Sequence, residues 1–223
     1  MSRNNSPLGR MLTVIDCPNS SLRFLILDCP TESTLDFYME EFMRLHVVAV
    51  ARCCQPTYSA NRLNERSIQV MDLPFKDGGV PPPQVVREWL QLVEKNKEIA
   101  DSIKDDGPIP MIAVHCVAGL GRAPVLVAIA LIEMGMKPLD AIEFIRSKRR
   151  GAFNKPQIAY LDSYKRILKP KSSTSNYSLR SSLGRMFKLG GSSNMYSGGG
   201  ISLAEGAEGS GIVCENKSGG VIC

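Results

Sequence analysis

A cysteine and an arginine, Cys116 and Arg122, are separated by five residues in a segment that can bind and attack an anion. The two glycines of the intervening segment allow backbone angles that turn successive N–H groups inward. The arginine offers a planar pair of donors that matches two phosphate oxygens. This spacing predicts a cradle for a tetrahedral anion with a thiol at its base. Its predicted phosphate-binding residues, besides Arg122, are Val117, Ala118, Gly119, Leu120 and Gly121.

The flanking residues predict that this segment joins a strand to a helix. Met111 to Val114 is a short apolar run, and Pro124 begins an apolar stretch of helical length. The first N–H groups of a helix lack internal partners and carry the positive end of its dipole, which favours a bound anion and the thiolate of Cys116. A thiolate beneath a phosphate predicts a phosphatase. The alternative, an inert cysteine in an ordinary turn, explains neither the glycines nor an arginine where the dipole disfavours cations.

Cleavage of a phosphomonoester also needs a proton for the leaving oxygen, and the Gly/Pro-rich segment 72–83 offers two acids. Asp77 precedes two glycines, whereas Asp72 follows a predicted strand and could merely anchor the turn. Either could also be an ordinary turn residue, so spacing alone leaves the choice open. His115 is expected to point away from its neighbour Cys116 and to support the loop from a buried position.

Strands that alternate with helices predict an α/β domain with a mainly parallel central sheet flanked by helices. In such sheets ligands bind at the carboxyl ends of the strands, where the Cys116 segment would lie. Ser33 and Asp36 have the spacing of a helical capping box. The predicted strands are Leu12–Val14, Arg23–Leu27, His46–Val50, Ser67–Met71 and Met111–Val114. The predicted helices are Thr31–Leu45 (with an apolar stripe of Leu35, Met39, Phe42 and Met43), a helix from Pro83, Val125–Met134, Leu139–Lys148 and Gln157–Leu168.

Composition narrows the class of protein. A chain of 223 residues, 43% hydrophobic, can form one buried domain with an appendage. The net charge of +5 is modest, and no nucleic-acid motif is present. Seven cysteines without a Cys-x2-Cys pair argue against both a zinc site and a secreted disulfide framework. With no signal-peptide core and no apolar run long enough to span a bilayer, these features predict a cytoplasmic protein.

The composition changes after Leu168, which predicts a domain over residues 8–168 and a disordered tail over 169–223. Seven basic residues between Lys165 and Lys188 face no nearby acid and predict weak electrostatic contact with anionic membranes, although a simply solvated tail is the competing interpretation. Cys214 or Cys223 could carry a lipid or be a spare thiol. The basic residues are Lys165, Arg166, Lys169, Lys171, Arg180, Arg185 and Lys188.

Several of these segments resemble the phosphatases of regenerating liver (PRL), a branch of the cysteine-based dual-specificity phosphatases. The resemblance extends from about Leu8 to Leu168 and implies that family's fold. It also implies a protein tyrosine phosphatase that needs no metal or cofactor, because the cradle itself supplies the positive charge. The matching segments are residues 23–26, the Pro-Phe-x-Asp-Gly loop at 74–78, 114–128, 144–146 and 148–154.

The resemblance assigns roles that spacing leaves open. It puts the general acid on Asp77 and, through the segment Arg52–Tyr58, the family's second redox cysteine on Cys54. We therefore expect Cys116 to form a phosphocysteine with phosphotyrosine proteins, or with phosphoinositides, and a reversible disulfide with Cys54 under mild peroxide. The alternative function is a binding module for a CNNM-type magnesium transporter, whose cytosolic domain would occupy the mouth of the active site.

The sequence departs from the family's pattern at several positions. Leu73 stands where the family has Trp, Lys76 where a second acid is usual, and the stretch 95–110 is longer. Residues 220–223 do not match the family's prenylation box. Ala123 stands where most cysteine phosphatases carry Ser or Thr, whose hydroxyl stabilises the departing thiolate. This last departure predicts slow hydrolysis of the phosphocysteine.

Overall fold

The computed structural model describes residues 12–103 and 107–168, and in this part of the chain five strands form one sheet. The spatial order is β1-β2-β5-β3-β4, with β1 antiparallel to β2 and every other neighbouring pair parallel. The predicted mainly parallel sheet is confirmed. Its strands are β1 (Thr13–Asp16), β2 (Arg23–Leu27), β3 (Val47–Arg52), β4 (Gln69–Asp72) and β5 (Met111–His115).

Helices cover both faces of the sheet, as predicted. They are α1 (Leu35–Arg44), α2 (Asn61–Asn64), α3 (Pro83–Ser102), α4 (Arg122–Glu133), α5 (Pro138–Lys148) and α6 (Lys155–Asp162). Apolar side chains of the parallel strands alternate between two buried clusters. One contains residues of α1, and the larger one contains residues of α3, α4 and α5. Every residue of α4 is buried, and Trp89 of α3 donates to its Leu126 carbonyl at 2.7 Å. The chain segment that leads into α4 is therefore attached to a helix that is fixed in the core.

Three local predictions are wrong. Thr34, at the N-terminus of α1, makes no capping side-chain bond to the helix. The Ser33 hydroxyl pairs with that of Thr31 (3.1 Å), so the predicted capping box does not form. Met43 is 48% exposed, although the other three members of its apolar stripe are buried. The last predicted helix ends at Asp162 instead of Leu168.

The residues after α6 follow a different path because a buried carboxylate binds them. Glu133, the last residue of α4, accepts the hydroxyl of Tyr164 at 2.8 Å and the N–H groups of Ile167 and Leu168 at 2.8 and 3.1 Å. These bonds hold residues 163–168 against α4.

The predictions about the tail lie outside the described residues. They concern disorder over 169–223, its membrane contact, and the thiols of Cys214 and Cys223. The predicted domain limits of 8–168 stay a prediction. Within the described ranges, the helices are either too short or too polar to cross a membrane.

Candidate active site

Strand register gathers three chain segments at one edge of the sheet. Leu27 at the end of β2 and Arg52 at the end of β3 both lie beside His115 at the end of β5. Because these strands are parallel, their carboxyl ends meet at the same edge. The cysteines that follow them directly or within two residues are Cys29, Cys53, Cys54 and Cys116.

The loop after β5, residues 116–121 and hereafter the cysteine loop, is held from outside by its carbonyl groups. The carbonyls of residues 117 and 120 accept main-chain N–H groups of Cys29 (3.0 Å) and Phe153 (2.8 Å). The two between them accept Nη2 and Nε of Arg149, which is 8% exposed, at 3.1 and 2.6 Å. Since each of these carbonyls is bound to surrounding protein, the loop has a fixed conformation.

Gly119 is required by both conformation and space. Its φ is +66°, in the left-handed region that glycine adopts most easily. A Cβ there would lie 2.5 Å from the Leu27 carbonyl oxygen and 2.5 Å from Nη2 of Arg149. Glycine lets the loop approach β2 and α5 this closely.

Cys116 lies at the cysteine loop's start and lines a cleft of about 340 Å³. The cysteine is 3% exposed. Its neighbour His115 is fully buried, and its Nε2 lies 2.8 Å from the Tyr58 hydroxyl, as expected for a supporting residue. Burial lowers the pKa of His115 to about 4, so this ring is neutral at pH 7. Other residues around the cleft include Asp77, Leu120, Phe153, Asn154 and Gln157.

Arg122 begins α4 and is 6% exposed. Its Nη1 donates to the carbonyls of Cys53 (3.1 Å) and Phe75 (3.2 Å). Its Nε lies 3.2 Å from Oδ1 of Asp77, which is an ion-pair distance, yet it forms no hydrogen bond with any described residue. The short distance and the missing hydrogen bond are consistent, because opposite charges attract at this distance even when the N–H of Arg122 does not point at the Asp77 oxygen. The guanidinium is thus anchored at one nitrogen and has a buried donor left over at another.

The two candidate acids occupy different environments. Asp72 accepts a two-pronged bond from Arg52, with Nε–Oδ1 and Nη2–Oδ2 distances of 2.6 and 2.8 Å. It therefore anchors the end of β4. The Asp77 side chain is 80% exposed, lines the cleft and faces Arg122. The structure thus places Asp77 and Cys116 on the wall of one cleft, with Asp77 at ion-pair distance from Arg122.

The loop that carries Asp77, residues 73–82 and hereafter the Asp77 loop, is tethered by α6. Asn154 Nδ2 donates to the Gly78 carbonyl at 2.8 Å, and Gln157 Nε2 donates to that of Gly79 at 3.0 Å. The same two side chains form the capping box of α6. Sequence reasoning missed this tether, although the Asn-x2-Gln spacing was a usable signal.

Arg149 was also missed as a residue that shapes the site, although it lies within a segment that carries the PRL resemblance. Leu73, which stands where the family has Trp, is fully buried in the core.

The predicted redox cysteine, Cys54, is 5% exposed, and its Sγ lies 3.7 Å from that of Cys29. Its predicted pairing with Cys116 stays a prediction.

Comparison with known proteins gives the class of this fold and cleft. No family model matches the chain. A protein tyrosine phosphatase structure from Leishmania major is 42% identical, with a TM-score of 0.63 over 70% of this chain and 99% of its own. Kinase associated phosphatase, at 18% identity and a TM-score of 0.53, shares the fold, covering 71% of this chain and 94% of its own. The architecture is therefore that of the cysteine-based protein tyrosine and dual-specificity phosphatases.

The sequence relatives are more specific. The chain is 50% identical over 147 residues to the probable protein tyrosine phosphatase type IVA A of Dictyostelium discoideum, covering 66% of this chain and 84% of the relative. It is 45% identical over 165 residues to human protein tyrosine phosphatase type IVA 3, covering 74% and 88%. PRL-1 phosphatase of Drosophila melanogaster is 46% identical over 144 residues, or 65% and 78%. The chain belongs to the protein tyrosine phosphatase type IVA, or PRL, family and is a PRL-like protein tyrosine phosphatase.

Proposed function

We propose that this phosphatase hydrolyses phosphomonoesters in two steps through a phosphocysteine on Cys116. In the first step the thiolate attacks phosphorus, and the ester oxygen leaves with a proton from Asp77. In the second step water attacks the phosphocysteine, the resulting Asp77 carboxylate accepts a proton from that water, and the thiolate departs. Phosphate and the original enzyme are regenerated, and no metal or cofactor takes part.

The observation that carries this proposal is the direction of the carbonyl groups in the cysteine loop. Four consecutive carbonyls, from residue 117 to residue 120, are bound to surrounding protein. Their outward bonds favour a conformation in which the N–H groups of the loop face the cleft above Cys116. Such N–H groups at a helix N-terminus bind a tetrahedral anion and stabilise the charge that develops on its oxygens.

Arg122 and Asp77 complete the proposed mechanism. The buried Nε of Arg122 forms no hydrogen bond with the described residues, so it has a donor to offer a phosphate oxygen. Its Nη1 is fixed by two carbonyls, which limits the entropy lost on binding. The Asp77 carboxyl, 3.2 Å from that Nε, lies beside the expected position of the leaving oxygen.

The second step is proposed to be the slower one. Ala123 follows Arg122 in α4, is fully buried and has no hydroxyl with which to stabilise the departing thiolate. A hydrogen bond to a charged group contributes about 1.5–3 kcal/mol. Its absence favours accumulation of the phosphocysteine.

Phosphotyrosine proteins are the proposed substrates. The relatives are named as protein tyrosine phosphatases. The cleft is open, and its rim includes Val117 and Leu120, which are 60% and 40% exposed. Two apolar side chains beside a charged cleft suit the surface of a protein that carries a phosphotyrosine. Phosphoinositides remain the second substrate class to test.

The same exposed rim favours a second candidate function, a binding module for a partner protein. The PRL resemblance points to a CNNM-type magnesium transporter whose cytosolic domain would cover Val117 and Leu120. A pull-down with Cys116→Ser and Asp77→Ala separates the two functions. A binding role survives the loss of turnover in both variants, whereas a purely catalytic role leaves no stable complex with an unphosphorylated partner.

The catalytic proposal is tested with Cys116→Ser on a generic aryl phosphate. Turnover should fall by roughly 10⁴-fold or more because the nucleophile is removed, while inorganic phosphate should still bind to the unchanged loop. Cys17→Ser is the matched control, since Cys17 is buried in the larger core cluster and is not among the residues lining the cleft. Retained turnover in Cys116→Ser would disprove the assignment.

A cytoplasmic location, with weak electrostatic attachment of the basic tail to anionic membranes, is also proposed. Each basic residue near an anionic leaflet contributes about 1 kcal/mol, less at high salt. The test is cosedimentation with anionic vesicles at rising salt, with and without residues 169–223. Binding that survives high salt, or that persists without the tail, would contradict the proposal.

A further inference from the structure

Two thiols beside the cysteine loop, those of Cys29 and Cys54, face each other with their Sγ atoms 3.7 Å apart. Cys29 is half-buried, whereas Cys54 is buried. We propose that these two residues form a disulfide that returns an oxidised Cys116 to its thiolate, so that the pair acts as a thiol relay for the active site. The proposal rests on the nucleophilic role of Cys116 argued above.

Backbone hydrogen bonds hold the pair on either side of Cys116. The N–H of Cys29 donates to the Val117 carbonyl at 3.0 Å, and the N–H of Cys53 donates to the His115 carbonyl at 2.8 Å. Both thiols thus follow strands that flank β5. A disulfide requires the sulfurs to approach to roughly 2.0 Å. Side-chain rotation can supply much of that movement, because the two sulfurs already point toward each other.

The relay is a sequence of two-electron steps with peroxide as the oxidant. The Cys116 thiolate attacks peroxide and becomes a sulfenic acid, releasing hydroxide. The Cys54 thiol displaces the sulfenic oxygen as water and forms a Cys54–Cys116 disulfide. Cys29 then loses its proton and attacks the sulfur of Cys54, which forms the Cys29–Cys54 disulfide and expels the Cys116 thiolate. Overall, two thiols are oxidised and one peroxide is reduced to two waters.

The environments of the thiols favour this direction. Burial, followed by the nearby Cys29, raises the pKa of Cys54 to about 12, so Cys54 reacts poorly with an oxidant on its own. In the mixed disulfide, the better leaving group is the thiol whose anion is stabilised, and Cys116 leaves into the anion cradle. Cys29 also has solvent access, so an external thiol can reduce the final disulfide and restore the pair.

A metal ion is the competing occupant of this cluster, because donor atoms of Cys29, Cys54 and His115 lie within 4.8 Å of one another. The His115 ring, however, is already engaged by the Tyr58 hydroxyl at 2.8 Å and by the backbone of Cys116. Among the described residues that leaves the two sulfurs as potential metal ligands, fewer than the four ligands of a structural zinc site. The thiol pair fits redox chemistry better than metal binding.

The test oxidises the full chain with sub-stoichiometric to equimolar peroxide, in the presence of a chelator, and maps disulfides by mass spectrometry after alkylation of free thiols. The wild type should yield the Cys29–Cys54 linkage with Cys116 alkylated, and it should retain activity without added reductant. Cys29→Ser and Cys29→Ala should stop at the Cys54–Cys116 disulfide and lose several-fold more activity. Cys53→Ala, whose side chain lies in the core, should behave like the wild type.

Two results would overturn the relay. One is a wild-type protein that contains only the Cys54–Cys116 linkage, or only overoxidised Cys116. The other is equal inactivation of the wild type and both Cys29 variants. Turnover before oxidation separates this failure from failure of the proposed function. If the relay alone is wrong, the unoxidised wild type and Cys29 variants still hydrolyse aryl phosphate, and Cys116→Ser still does not.

Discussion

The two loops that form the cleft are built in opposite ways. The cysteine loop is held at four consecutive carbonyls, two of them by the buried Arg149, and one of its glycines is packed against β2. The Asp77 loop is held at its start by the buried Leu73 and by the Arg122 bond to the Phe75 carbonyl, but around the acid only by two side-chain amides, from Asn154 and Gln157, and the acid is 80% exposed. The cysteine loop is therefore rigid, whereas the Asp77 loop has few restraints around the acid itself.

The difference suits the two tasks proposed for these loops. Electrostatic stabilisation of a transition state requires dipoles that are already oriented, because reorganisation during the reaction would cost free energy. A general acid must instead approach the leaving group and then withdraw so that product can leave, and a lightly tethered loop allows this. Substitutions in each loop should consequently change different steps.

Apart from loss of the nucleophile, the largest effect is expected when the acid is removed. Asp77→Asn should lower kcat/KM, which reports the first step, by about 10²–10⁴-fold for substrates with poor leaving groups, because no proton is supplied to the departing oxygen. Aryl phosphates with increasingly acidic phenols should show a progressively smaller loss. Asp72→Asn is the control, and it should reduce stability through the lost Arg52 bond with little change in leaving-group dependence. An equal loss of kcat/KM for all leaving groups in Asp77→Asn would contradict the acid role.

A methyl group at Gly119 should disturb the rigid loop. Its Cβ would lie 2.5 Å from the Leu27 carbonyl, so the loop must shift, and a displacement of about 1 Å can lower the rate by roughly 10²-fold. Gly119→Ala should also weaken inhibition by inorganic phosphate. Gly135→Ala is the matched control, because φ is +106° there but the nearest atom is 3.8 Å away. Unchanged phosphate inhibition in Gly119→Ala would show that the loop is less rigid than described.

A hydroxyl added next to Arg122 should accelerate the second step. Ala123→Ser should raise the steady-state rate by at most roughly ten- to a hundred-fold, because one hydrogen bond to the departing thiolate contributes about 1.5–3 kcal/mol. The burst amplitude should fall as the intermediate is consumed faster. Ala123→Val, which has no hydroxyl, is the control. A steady-state rate equal to that of the wild type would remove this explanation of slow turnover.

The buried support of the cysteine loop should make stability depend on pH. The pKa of His115 is about 4 in the folded protein, against an ordinary value near 6.5, so the unfolded chain binds the proton first. The free energy of unfolding should therefore fall as pH decreases from about 6.5 toward 4. Denaturant titrations at several pH values should show no such decrease in the free energy of unfolding for His115→Gln. The exposed His46→Asn should show the same decrease as the wild type. If the free energy of unfolding changed equally with pH in the wild type and in His115→Gln, His115 would be excluded as the source of the pH dependence.

The smallest effect is expected at the tether of the Asp77 loop. Asn154→Ser keeps an oxygen that can cap α6 but removes the amide that donates to Gly78, so it should lower kcat/KM by roughly two- to tenfold. Thermal unfolding should change little because the cap remains. A loss of kcat/KM in Asn154→Ser as large as that in Asp77→Asn would show that the position of Asp77 depends mainly on this tether.

Local patterns in the sequence predicted the sheet, the strand-loop-helix unit and the pairing of Cys116 with Arg122 around one loop. These features depend on residues close together in the chain. Arg149 and Cys29 could not be assigned in this way, because strand register and the packing of α5 bring them to the loop. The choice of Asp77 over Asp72 likewise depended on family resemblance, and the ion pair of Asp72 with Arg52 supplies a physical reason.

The predictions for Met43 and for the end of the last helix are wrong because tertiary packing and long-range hydrogen bonds, rather than local sequence, decide the structure there. Met43 has helical spacing with buried neighbours but lies beyond the edge of the packed face of α1, where it is 48% exposed. The chain after Asp162 has enough apolar residues for a helix. The Glu133 carboxylate binds its N–H groups instead, and that residue is about thirty positions away in the chain. Long-range hydrogen bonds override local propensity in this segment.

The central claim, a phosphocysteine on Cys116 that breaks down slowly, is tested most directly by rapid quenching with a radiolabelled phosphotyrosine peptide. We expect a burst of dephosphorylated substrate close to one per enzyme, followed by a slow linear phase. An equal amount of radiolabelled phosphate should be found on the proteolytic fragment of the enzyme that contains Cys116. Linear release from the start with no labelled protein, or label on any other residue, would contradict the account.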